Sequence, residues 1–297
     1  MYREPHWHEL ASSISSVTGH ELARAPHEVV SGGDAGSCVR WSSDAGSMFV
    51  KLAPDDRAWV LEAEAEGLHA LASASAIRVP TVFGVGVAAT RAWLALEWLD
   101  LRSPARGSEA RLGELLAQQH RKTSETFGWH RTNTIGLTRQ ENDPDPDWGR
   151  FYVARRLEPQ LALAESNGNR GRLIDRGRLL CERVPALLGG HAPAPSLLHG
   201  DLWAGNHAED SAGHPLIFDP AVYFGDREAD LAMTRLFGGY GREFYAAYEA
   251  AWPLEPGASE RVPLYNLYHV LNHLNLFGGG YRRQAEDMVE RLLAQVA

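Results

Sequence analysis

Leu197-Leu198-His199-Gly200-Asp201-Leu202-Trp203-Ala204-Gly205-Asn206, followed by Ile217-Phe218-Asp219-Pro220, is the stretch that decides the reading of this chain. An apolar run delivers a loop with one carboxylate, an amide follows five residues later, and a second apolar run delivers another carboxylate. Mg2+ takes hard oxygen ligands and keeps positions for phosphate and water, so one carboxylate and one amide make a typical protein share. Asn206 and Asp219 fit that share. An acceptor hydroxyl must lose its proton as it is phosphorylated, and a carboxylate at the base of the site can take it. Asp201 fits that role, and the segment as a whole reads as a phosphotransferase site rather than as two unrelated polar turns.

Protein kinases order their catalytic-loop Asp, Asn and second Asp in the same way. Such a site needs an upstream half. Of 29 basic side chains only two are Lys, Lys51 and Lys122. Lys51 lies in Met48-Phe49-Val50-Lys51-Leu52, a strand-like run from which a slim ammonium can reach phosphates, as a guanidinium would not. Lys122, in Gln119-His120-Arg121-Lys122, is most simply a solvated helix charge. A helix expected over 57–74 carries three glutamates that compete to pair with Lys51. Glu64 has Val60, Leu61, Gly67 and Leu68 as its i±3 and i±4 neighbours and so sits in the apolar stripe, where a carboxylate needs a partner. Glu62 and Glu66 neighbour each other and several alanines. Glu64 is the choice. Upstream, Gly32, Gly33 and Gly36 lie between two apolar runs, the order of a strand–turn–strand loop whose backbone N–H groups approach phosphate; a simple hairpin has the same composition.

Composition bounds the rest. The chain has 297 residues, 44% hydrophobic and 23% charged, enough for a large core in one two-lobed unit or two domains. A net charge of −9 argues against nucleic-acid binding. Two cysteines, Cys38 and Cys181, make no disulfide framework and point to a reducing compartment. The N-terminus is polar and no apolar run reaches membrane-spanning length, so a cytoplasmic protein is expected.

Strands are expected near 27–30, 38–41, 48–52, 82–87 and 93–98, and helices over about 109–126, 148–165, 172–188, 227–237, 242–251, 260–275 and 281–296. The change of pattern falls at Leu96-Glu97-Trp98-Leu99. Backbone groups of Glu97 and Leu99 are placed there to pair with adenine at an interlobe hinge; an ordinary last strand is the plainer alternative. The expected fold is α+β and protein-kinase-like, with a small antiparallel-sheet N-lobe carrying one key helix over 1–99 and a larger, mainly helical C-lobe over 100–297. His199 is expected to brace its loop, and Asp226, Glu228 and Asp230 to favour the start of a helix. His269 and His273, one helical turn apart, lack a third convergent metal ligand in the sequence.

The chain resembles the fructosamine kinases, also called ketosamine-3-kinases, within the protein-kinase-like group that includes aminoglycoside and choline phosphotransferases. The run 198–206 with its Trp carries the resemblance, as do Phe49-Val50-Lys51, Phe127-Gly128-Trp129-His130 with Gln140 and Asn142, and the 147–157 stretch. Phe237-Gly238-Gly239 and the tail 267–278 complete it. The resemblance implies ATP- and Mg2+-dependent phosphorylation of the third-carbon hydroxyl of a ketoamine, a small-molecule or glycated-amine substrate, in protein deglycation. It implies Asp201 as base, Asn206 and Asp219 as metal ligands, and Lys51 with Glu64 as phosphate clamp. Trp203 would stack on the sugar or amine, or serve as a scaffold. Trp203, His273, His130 and the 272–275 region separate a ketoamine kinase from the alternative, a kinase-like phosphotransferase for an aminoglycoside or amino alcohol.

Overall fold

A computed structural model describes residues 6–30, 37–104 and 107–296. The expected glycine loop, Gly32, Gly33 and Gly36, lies outside them. The chain forms two compact units, one from residues up to Ser108 together with Asn206–Pro220, the other from Glu109–Gly205 and Ala221 onward. This differs from a single cut after residue 99. The hairpin of His207–Glu209 with Pro215–Ile217 joins the first unit because its backbone bonds there: Arg102 N–H donates to Glu209 O at 2.8 Å and Ile217 N–H to Arg78 O at 3.0 Å.

The first unit holds helix α1 (Trp7–Thr18), strands β1 (Glu28–Val30), β2 (Ser37–Ser43) and β3 (Gly46–Pro54), helix α2 (Ala58–Ala74), and strands β4 (Val82–Ala88) and β5 (Arg91–Glu97). The strands make one antiparallel sheet in the order β1-β2-β3-β5-β4. Val39, Trp41, Val50, Leu52, Trp93 and Ala95 form its core with Leu10 and Ile14 of α1. Helix α1 is absent from the sequence expectation, because only Leu10, Ala11 and Ile14 of its twelve residues are buried. What holds it is tertiary: Trp7 meets Trp41 edge-on at 5.6 Å, and Trp93 Nε1 donates to Ser13 Oγ at 3.2 Å.

The second unit is mainly helical, with α3 (Glu109–His120), α4 (Trp148–Tyr152), α5 (Glu158–Ser166), α6 (Arg172–Leu188), α7 (Arg227–Leu236), α8 (Arg242–Ala251), α9 (Ala258–Phe277) and α10 (Tyr281–Ala294). Helix α9 buries nearly its whole central surface, from Leu264 to Asn272. Gly113 permits close contact between α3 and α8, since a Cβ there would stand 2.2 Å from Phe244 O.

Two expected helices end differently. Residues 148–165 form two helices joined by a π-helical turn, Val153–Leu157. Pro159 has no N–H to give Arg155 O, which instead accepts Arg156 Nη1 at 2.8 Å. Helix α3 stops at His120 because the following backbone pairs elsewhere: Ser124 N–H donates to Pro195 O and Leu197 N–H to Lys122 O. No helix among the described residues is long and apolar enough to cross a membrane.

Candidate active site

Lys51 stands on β3, paired across the sheet with Cys38 and Leu94, and is 8% exposed. Its Nζ lies 2.6 Å from Glu64 Oε1 and 2.6 Å from Asp219 Oδ1. Helix α2 presents Glu64 between buried Leu61 and Leu68, so of the three competing glutamates the one on the apolar stripe makes the pair. Burial by itself would lower the Lys51 ammonium, but the Glu64 and Asp219 carboxylates outweigh it and hold Lys51 well above the usual lysine range. Lys51 is therefore a fixed cation, and Glu64 is its anion despite the burial that pushes a carboxyl up. The same burial raises the neighbouring Cys38 thiol to about 11, leaving it protonated and unreactive at neutral pH.

Asp219 has φ +56°, a left-handed conformation that Asp tolerates better than most residues and that Pro220 disfavours. Phe218 N–H donates to Asn206 O at 3.1 Å, tying the backbone of Asn206 to the residue before Asp219. Two hard oxygen donors, one amide and one carboxylate, thus come from adjoining backbone of one unit. That donor set suits Mg2+.

At the end of β5, the Glu97 carboxylate is engaged by Arg78 at 2.7 Å and by Thr81 N–H and Oγ1 at 3.2 and 3.0 Å. Its backbone N–H donates to Thr81 O at 2.8 Å, so an adenine edge can meet only its carbonyl. Leu99 follows the strand and is half-buried.

The helical unit builds the Asp201 loop. Gly200 has φ +82°, and a Cβ on it would lie 2.1 Å from Ala221 O, so glycine is required twice over. Buried Asp230 on α7 chelates the loop, accepting His199 N–H at 2.7 Å and Gly200 N–H at 2.9 Å. His120 Nε2 stands 3.2 Å from the same carboxylate, and His120 Nδ1 lies 2.8 Å from the Tyr248 hydroxyl. Burial works to raise the Asp230 carboxyl, but the His120 hydrogen bond and the loop amides outweigh it and keep it below the usual range. Buried His199 accepts Asp201 N–H at its Nδ1, 3.3 Å away.

Asp230 and His120 were not legible as site residues: an acidic residue opening a helix is equally explained by the helix dipole, and its partners lie 30 and 110 residues away. Asp226 does cap α7, accepting Glu228 N–H. With His191 and Glu228 it forms the one His/Asp/Glu cluster of metal-ligand spacing among the described residues. Its oxygens are already engaged, Asp226 by His191 and Tyr265 and Glu228 by Arg261, so the cluster is an ion-pair brace between α7 and α9. His269 is buried, which pushes its imidazole down to about 3, and His273 Nδ1 lies 2.8 Å from His269 O.

The sequence model of the fructosamine kinase family matches residues 6–295. A protein of Synechocystis named as a probable ketoamine kinase is 43% identical over 97% of both chains. The chloroplastic protein-ribulosamine 3-kinase of Arabidopsis thaliana is 40% identical, over 89% of this chain and 81% of that one. A solved structure from Thermobifida fusca that carries the fructosamine-3-kinase name superposes with a TM-score of 0.85 at 34% identity, covering 97% and 99% of the two chains. The choline kinase LicA of Streptococcus pneumoniae superposes with a TM-score of 0.62 over 96% and 98% of the two chains; at 13% identity it shares the fold alone. The chain belongs to the fructosamine kinase family.

Proposed function

We propose that this protein transfers the γ-phosphoryl group of ATP to the third-carbon hydroxyl of a ketoamine, in the cytoplasm, as a step in deglycation. The observation that carries the phosphoryl-transfer half is the Lys51 ammonium held 2.6 Å from both Glu64 and Asp219. A cation fixed on a strand by a helix carboxylate is placed to meet phosphate oxygens, and its link to Asp219 ties that grip to the metal-binding carboxylate. Asn206 and Asp219 would hold Mg2+, which when bound neutralises charge on the phosphates. Gly32, Gly33 and Gly36 are assigned to those phosphates from the sequence alone, and the backbone of Glu97 and Leu99 meets the adenine edge. Asp201, five residues before Asn206 in the chain, orients the acceptor hydroxyl and takes its proton. Asp230 acts through the loop, as a positioning residue. The acceptor class follows from the family and its named relatives.

An ADP-release assay over fructosamines, ribulosamines, aminoglycosides and choline tests this. Turnover of ketoamines is expected; turnover of aminoglycosides or choline with no ketoamine accepted overturns the acceptor assignment. Asp201→Asn is expected to lower kcat by about 10²–10⁴-fold, the usual range for a general base, while MgATP still binds. Retention of more than about a tenth of kcat removes Asp201 from that role.

A further inference from the structure

Within the helical unit, Trp203 begins a continuous row of aromatic rings. Its indole meets Phe237 edge-on at 6.4 Å between centroids, Phe237 lies 4.6 Å from the His273 ring, and His273 lies 5.4 Å from Phe277. Phe237 closes α7, while His273 and Phe277 are one turn apart at the end of α9. Three separated segments therefore converge on one strip. Trp203 and Phe237 are each 39% exposed and Phe277 is 61% exposed. A single exposed ring is ordinary, but a contiguous row that the fold leaves in water marks a binding surface.

The first ring is held in place by small residues. A Cβ on Gly205 would stand 2.2 Å from the Trp203 indole, and one on Gly239 would stand 2.4 Å from Ala204 Cβ. The Tyr240 hydroxyl donates to Trp203 O at 3.3 Å. Trp203 is only two residues past Asp201 in this same loop.

Ketoamine chemistry supplies the occupant. The hydroxyl to be phosphorylated is on the third carbon and the nitrogen on the first, so a substrate whose hydroxyl faces Asp201 carries its nitrogen a few bonds away. The substituent on that nitrogen must then leave across the neighbouring surface, where Trp203 stands first. That nitrogen is a secondary amine, protonated at neutral pH, and ring faces attract it. A methylene chain behind it buries against the further rings.

We infer that the row Trp203–Phe237–His273–Phe277 is the subsite for the amine side of the ketoamine. It sets a preference for adducts of chain-bearing amines, such as a lysine side chain within a peptide, over adducts of small amines. The inference rests on the ketoamine kinase reading above and names its specificity determinants.

The test uses two ketoamines of one sugar, the adducts of methylamine and of the lysine side chain in a short blocked peptide. kcat/KM at saturating MgATP is measured for the wild-type chain, Phe237→Ala and Phe277→Ala. The wild type is expected to favour the peptide adduct by about tenfold or more, and each variant to shrink that ratio by about two- to fivefold, roughly the effect of one buried methylene group. The change should appear in KM for the peptide adduct. A wild-type ratio near one, or a ratio unmoved in both variants, overturns the subsite. Phosphorylation of neither adduct overturns the ketoamine reading instead, so the two failures are distinguishable. Light scattering covers the other occupant: a wild-type dimer dissociated by Phe277→Ala assigns the row to a second copy of the chain and overturns the inference.

Discussion

Replacing Asp230 by Asn tests whether the Asp201 loop is held from beneath. The carboxylate is 1% exposed and accepts two backbone N–H groups, at 2.7 and 2.9 Å, with the His120 ring at 3.2 Å. An amide of the same shape keeps one accepting oxygen and turns an NH2 toward a buried donor. A hydrogen bond to a charged acceptor contributes about 1.5–3 kcal/mol, and a stranded buried donor costs about 1–3 kcal/mol more. The variant should therefore lose about 3–5 kcal/mol of stability, large against a typical total of about 5–15 kcal/mol yet compatible with folding. Because Asp201 lies one residue beyond the chelated pair, loosening of the loop should also lower kcat by about 10²-fold, the penalty of a misplacement near 1 Å. Urea denaturation followed by tryptophan fluorescence reads the first quantity and ADP release the second. Stability within about 1 kcal/mol of wild type, together with kcat within about threefold, would refute the chelation argument.

Lys51 and Glu64 should behave as a unit: removing Lys51 strands Glu64, and removing Glu64 leaves Lys51 to Asp219 alone, so Lys51→Met with Glu64→Gln should lose less activity than the two single losses combined, and strict additivity in the cycle would count against the pairing. Because Asp219 shares the ammonium, Lys51→Met is also expected to weaken MgATP binding in calorimetry. Stability should fall with pH below about 6.5, since burial pushes His269 down to about 3 and His207 to about 4. The unfolded chain then binds each proton first, stability rises with pH through that window, and the loss at pH 5 is about 2 kcal/mol per histidine. His269→Gln should flatten the unfolding profile between pH 4 and 6.5; an unchanged slope would mean that His269 is not held neutral.

The candidate phosphate-handling residues could be proposed from the sequence because the chemistry looked for is confined to short, local patterns. Asp201, Asn206 and Asp219 stand at fixed spacing behind apolar runs, Lys51 is one of only two lysines, and the helical stripe distinguishes Glu64 from Glu62 and Glu66. The strands β1–β5 were legible for the same reason, as alternating apolar runs broken by Gly, Pro, Asp and Ser.

What the tertiary structure alone decided are contacts between residues far apart in the chain. Asp219 reaches Lys51 across 168 residues, and Asp230 reaches back 30 residues to chelate the loop. The hairpin after Asn206 joins the sheet-bearing unit because Arg102 and Arg78 offer it backbone partners, not because of its composition. Helix α1 exists because Trp41 and Trp93 cover it, and the π-helical turn at 153–157 because Pro159 removes one donor from an otherwise regular pattern. A side chain's own chemistry is local and survives in sequence. The identity of its partner is fixed only when folding brings distant segments into contact, and no local periodicity records it.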